Sequence, residues 1–174
     1  VPELNSIKHQ NILKAVSIIP NLELKINKLE PDKQAEARLS LAEALMQASD
    51  LVPSFKSYAL ANIDTALNLT HNDISSISRG LGLKGKIHIL EHQPKKAIEL
   101  LEKATSAANA VNAPELAYRW QFELGQLYAA TGFRSKAISK YEASITNLEN
   151  IRNSSLSLKP ELQYEFRDKI EPIY

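Results

Sequence analysis

Leu124 to Ser144 read LGQLYAATGFRSKAISKYEAS. Gly132 divides this stretch into two runs rich in helix formers. Glycine takes φ > 0 without steric cost, so it can end the first helix at that point. Gly125 and Ala137 are small, which lets the two helices approach closely. Tyr128 and Tyr141 then fill the space between layers. Sliding the chain over itself by forty residues repeats the pattern. Gly85 falls on Gly125, Lys96-Ala97-Ile98 on Lys136-Ala137-Ile138, Leu101 on Tyr141, Glu102 on Glu142 and Ala104 on Ser144. Another copy lies upstream with a longer turn, in Leu41-Ala42, Leu45, Ala59, Ile63 and Ala66. A fixed period of this length marks stacked supersecondary units.

Composition agrees with helices throughout. Leu (24) and Ala (20) make up about a quarter of the 174 residues, and glycine numbers only 5. Pro31, Pro53, Pro94, Pro114 and Pro160 each precede a stretch of helical periodicity, where a missing amide costs nothing. The pattern predicts helices over Leu4–Ile19, Leu22–Leu29, Asp32–Ser49, Ser54–Leu69, Asn72–Glu91, Pro94–Ala110, Pro114–Ala130, Arg134–Arg152 and Leu162–Ile170. Ile7, Ile12, Leu13, Val16 and Ile19 form the inward face of the first, which is expected to end at Pro20. Leu41, Leu45 and Ala48 point inward from the third. The fold expected is all-α: a right-handed superhelical array of antiparallel helix pairs in one domain, 1–174. Residues 1–30 supply N-terminal helices. Repeats occupy 31–70, 71–112 and 113–153, and 159–174 begin a capping or following helix.

Charge and composition exclude several function classes. Lys and Arg number 21 against 20 Asp and Glu, a net charge of +1, which gives no global field for nucleic acid or an anionic membrane. Hydrophobic residues at 44% suffice for a core. No cysteine is present, so disulfides, Cys-zinc sites and a cysteine nucleophile are excluded within the chain. No apolar run is long enough to span a bilayer. Val1-Pro2 carries no signal peptide, and the chain reads as an excised domain of a longer protein, expected to be cytoplasmic.

The Leu124–Ser144 pattern resembles the tetratricopeptide repeat, with Leu-Gly, Tyr128, Gly132, Ala137, Tyr141 and Ser144 in the family's places. In the middle copy His92 takes the turn position and His88 replaces the tyrosine, and the period of 40 exceeds the family's usual length. Residues from Asn112 onward, with Trp120-Gln121 entering Leu124-Gly125 and with Pro160, Gln163, Phe166, Arg167, Glu171, Pro172 and Tyr174, are similar to the region preceding the caspase-like CHAT domain in cyanobacterial-type TPR–CHAT proteins. Ala37–Met46 is similar to that family too. The resemblance implies a protein-interaction scaffold followed, beyond Tyr174, by a peptidase domain whose Cys–His dyad is not in this chain.

The resemblance also implies a concave groove lined by the first helix of each repeat. Carried over position by position, the lining is Glu36, Leu39 and Glu43, then Arg79, Gly82 and Lys86, then Arg119, Phe122 and Gln126. Arg79, Lys86 and Arg119 together would favour an acidic, extended segment. The expected function is a non-catalytic interaction module that binds a protein or peptide there and regulates the downstream domain. A structural arm for self-assembly is the second reading. A third is a zinc peptidase, because His88-Ile-Leu-Glu91-His92 matches HxxEH. That motif needs a third ligand and a larger fold, so packing and turn roles are expected for the two histidines, with no cofactor. Trp120, Phe122, Tyr118 and Tyr128 read as inter-repeat core rather than a base-stacking platform, and Lys84, Lys86, Lys95 and Lys96 as solvated. Arg167 and Glu171 are spaced as an i, i+4 pair.

Overall fold

The computed structural model describes residues 14, 16–70 and 72–156. Among them the chain is all-helical, without strands. The elements are α1 (16–26), α2 (Pro31–Gln47), α3 (Ser54–Leu69), α4 (Ile74–Leu90), α5 (Pro94–Ala110), α6 (Pro114–Ala130) and α7 (Arg134–Leu156). Helices α2/α3, α4/α5 and α6/α7 form three antiparallel pairs, and each pair packs on the next. The result is a tetratricopeptide-like array. The segment expected over 159–174, with Phe166, Arg167 and Glu171, lies outside the described residues, as do Ile7, Ile12 and Leu13.

Local chemistry sets most helix starts. Proline opens α2, α5 and α6 within the first turn. Helix α4 has no such proline, and the Asp73 carboxylate caps it instead. It accepts from the amides of Ser75 at 3.0 Å and Ser76 at 3.2 Å. The helix therefore begins at Ile74 rather than Asn72.

Three helix ends share one turn. Gln93 N–H donates to His88 O (2.8 Å), Ala113 to Ala108 O (2.9 Å) and Phe133 to Tyr128 O (2.8 Å). Each closes a Schellman loop around a left-handed residue: His92 (φ 55°), Asn112 (φ 52°) and Gly132 (φ 85°). His92 thus takes the place that Gly132 holds forty residues later. Its side chain contributes no helical face.

The expected break at Pro20 is absent: α1 continues through it. Proline's φ is already helical, and burial of Ile19 and Ile26 holds the helix across the lost hydrogen bond. Val16, expected inward, is 41% exposed. Helix α7 also runs past Arg152 to Leu156.

The core lies between layers. Trp120, Leu39, Ile63, Leu83, Ile87, Leu101 and Leu124 are fully buried. Trp120 shows how one repeat keys into its neighbour. Its indole lies flat on Gly82, where an added Cβ would collide with the ring. Its Nε1–H donates to Ser78 Oγ (3.1 Å), which donates on to Ala104 O (2.7 Å). Both polar groups are thereby satisfied at zero or near-zero exposure.

Candidate partner-binding wall

First helices touch across repeats, α2 on α4 and α4 on α6, whereas α3, α5 and α7 do not touch one another. The array is therefore tighter on its first-helix side, and α2, α4 and α6 make one continuous wall. Leu41 and Leu45 anchor α2 beneath it, leaving Glu43 at the surface between their two faces.

Glu43 is the hub of this wall. Arg79 Nη2 donates to its Oε2 at 2.8 Å, and Arg119 Nη2 donates to its Oε1 at 2.5 Å. One carboxylate from α2 is thus held by a guanidinium from α4 and another from α6. Partial burial alone raises the Glu43 carboxyl. The hydrogen bonds from Arg79 and Arg119, with their charges, outweigh it and hold the group below the ordinary value of 4.5. Arg119 is fixed further by lying over the Trp120 ring, 5.2 Å from its centroid. Lys86 on α4 reaches Glu123 on α6 at 2.6 Å.

Beside the hub lies an open cleft of about 410 Å3. Glu43, Met46 and Gln47 come from α2, Leu83, Lys86, Ile89 and Leu90 from α4, and Arg119 and Glu123 from α6. Polar groups rim it, and Met46, Leu83, Ile89 and Leu90 give it an apolar floor. A smaller hollow of about 350 Å3 at the helix starts includes Glu36 and Arg79. A third, of about 390 Å3, lies between α6 and α7 and includes Arg119 and Phe122.

The nominated lining residues divide accordingly. Glu36, Glu43, Arg79, Lys86 and Arg119 share the wall. Gln126 is exposed but borders none of these hollows. Leu39 is 1% exposed and is core, not lining. Gly82 is covered by Trp120. In both cases the following first helix occupies the surface that the carry-over assigned to a ligand. Phe122 is 39% exposed and packs against Tyr141, with ring centroids 5.8 Å apart. The three cations expected on this wall face carboxylates of the wall itself: Arg79 and Arg119 pair with Glu43, and Lys86 with Glu123. Lys84, expected to be solvated, pairs with Asp64 at 2.7 Å. Met46, Ile89, Leu90 and Glu123 were missed in the sequence. Their place in the cleft depends on how three helices converge, which no local spacing encodes.

The histidine string has a different geometry from a metal motif. Helix α4 ends at Leu90, so His88 lies on the helix while His92 lies in the left-handed turn. The two do not share the i, i+4 helical face that such a site requires. Among the described residues, no group of three His, Cys, Asp or Glu side chains is placed to hold a metal ion. No helix among them is long and apolar enough to cross a membrane. No protein-family model matches the chain, and neither a curated protein nor a solved structure matches it.

Proposed function

We propose that the chain is a non-catalytic protein-interaction module that binds an extended protein or peptide segment along the α2/α4/α6 wall. One observation carries the reading: the cleft of about 410 Å3 draws its lining from all three first helices. A repeat array fixes such a surface without ligand, so little ordering is required on the receptor side. The chemistry of the cleft describes its ligand. The apolar floor at Met46, Ile89 and Leu90 suits an apolar side chain, and the paired charges around it suit a segment with mixed charge rather than a purely acidic one. The resemblance to TPR–CHAT proteins extends the proposal: occupancy of the wall would be relayed to a caspase-like domain further along the full-length protein.

The test uses peptides selected from a random display library against the whole chain. Leu90→Asp should abolish binding of wall-directed peptides and leave the melting curve nearly unchanged, because Leu90 is 38% exposed. The double variant Leu90→Asp with Met46→Gln should match it in binding only, not in stability. Selected peptides that bind the double variant as well as wild type would refute the proposed site.

A further inference from the structure

Antiparallel pairing sorts the helix starts onto two opposite rims. The starts of α2, α4 and α6 lie on one, and the starts of α3, α5 and α7 on the other. The two rims carry opposite charge. The first has Asp32 on α2, Asp73 capping α4 and Glu115 on α6. The first turns of α3, α5 and α7 hold no acid, and Lys56, Lys95, Lys96, Arg134 and Lys136 stand there instead. Acids suit the positive end of a helix and cations oppose it, so helix stability does not account for the second rim. Among the described residues Lys95, Lys96 and Arg134 pair with no carboxylate. Lys28 and Lys33 on the acidic rim, and Asp50 and Glu91 on the basic one, reduce the contrast without removing it. Each rim also exposes apolar side chains near its turns: Leu29, Ile74 and Val111 on the acidic rim, Leu51 and Phe133 on the basic one. Asp32 and Asp73 together line two hollows beside the starts of α2 and α4, of about 350 and 550 Å3.

We propose that the basic rim of one copy of this chain docks on the acidic rim of a second copy. Charge complementarity selects this occupant, and the repeat gives it a register. Each helix pair supplies one start to each rim, so the two rims share one spacing. A shift of one copy along the helix axes sets them against each other repeat by repeat. The lysines at the start of α5 then face the hollows that Asp32 and Asp73 flank, and the exposed apolar turns of both rims are covered. The contact is heterologous, because the two copies use different surfaces. Each copy keeps one rim free for the next, and the assembly is open-ended. Its charge pairs stay partly solvated, so salt weakens it.

Sedimentation velocity of the whole chain tests this. Association that grows with concentration at low ionic strength and disperses at high ionic strength is the expected result. Lys95→Glu with Arg134→Glu, and separately Asp32→Lys with Glu115→Lys, should each weaken it about tenfold or more. Acids suit the helix starts that Lys95 and Arg134 occupy, so the first pair of substitutions keeps the fold, which the helical melting curve checks. Mixed in equal amounts, the two variants should associate again, because the acidic rims of one meet the basic rims of the other. Leu51→Ser changes no charge and should also weaken wild-type association, which separates docking from bulk attraction. A chain that stays monomeric at low ionic strength at every concentration would overturn the proposal. Association that neither pair of substitutions reduces would also overturn it, and would place the contact on another face of the array.

Discussion

Arg119 and Glu43 lie 76 residues apart in sequence and meet at 2.5 Å across the first-helix wall. Arg79 takes the other carboxylate oxygen, so the pair is a triad that ties three repeats at one point. Removing the carboxylate leaves two guanidiniums facing each other. Glu43→Ala should therefore cost about 1–2 kcal/mol, more than an exposed ion pair. A double-mutant cycle between Glu43→Gln and Arg119→Gln should return a coupling on the order of 1 kcal/mol. Urea unfolding of the four proteins measures both quantities.

The same triad sets an acid dependence. The folded Glu43 carboxyl lies below its unfolded value near 4.5, so its contribution is fully present above that pH. It is lost as pH falls through the lower, folded value. The stability gap between wild type and Glu43→Gln should be constant near neutrality and close below the ordinary carboxylate range. A gap that widens in acid would contradict the assignment.

Gly82 should reverse the usual helix-propensity rule. In an exposed helix interior, Gly→Ala gains up to about 1 kcal/mol. At Gly82 the new methyl would meet the Trp120 indole, so Gly82→Ala should instead destabilise by about 2 kcal/mol or more. Pairing it with Trp120→Leu should recover part of the loss relative to Trp120→Leu alone. Thermal unfolding of the set reads this out.

The left-handed turns give opposite signs at equivalent places. Gly132 has φ 85° and open space around its Cβ position, so Gly132→Ala pays for backbone strain alone, about 1 kcal/mol. His92 already bears that strain at φ 55°, and His92→Gly should stabilise by up to about 1 kcal/mol. Denaturant midpoints of both variants decide the matter.

Tyr128 should ionise well above the ordinary phenol range. Desolvation raises it first, and its hydroxyl, donating to Glu102 Oε1 at 2.8 Å, would become an anion beside a carboxylate. Together these push it up to about 12. A raised phenol stabilises the fold below its unfolded value near 10, and the contribution disappears as pH rises through the folded one. Phenolate absorbance should show a late step that Tyr128→Phe removes.

Helix boundaries were legible where sequence punctuation is physical. Pro94–Ala110 and Pro114–Ala130 match the sequence reading residue for residue, because proline opens and left-handed turns end them by local chemistry alone, and Ser54–Leu69 matches too, with Pro53 before it and an extended Thr70 after it. Pro20 misled for the same reason, since tertiary burial of Ile19 and Ile26 outweighs a local breaker. The wall was partly legible. Arg79, Lys86 and Arg119 share it, as position-by-position transfer implied. That transfer says nothing about what the next repeat inserts, so Leu39 and Gly82 were assigned to a surface that neighbouring first helices cover. Charge pairing was illegible: the partners of Glu43 lie 36 and 76 residues away, beyond any local spacing rule.

The proposed binding surface spans α2, α4 and α6. Amide chemical-shift mapping of the whole chain, titrated with a peptide selected from a random display library, tests it most directly. Shifts clustered at Glu43, Met46, Lys86, Leu90 and Glu123 are the expected result. Shifts confined to the outer faces of α3, α5 and α7, with the wall unperturbed, would contradict it.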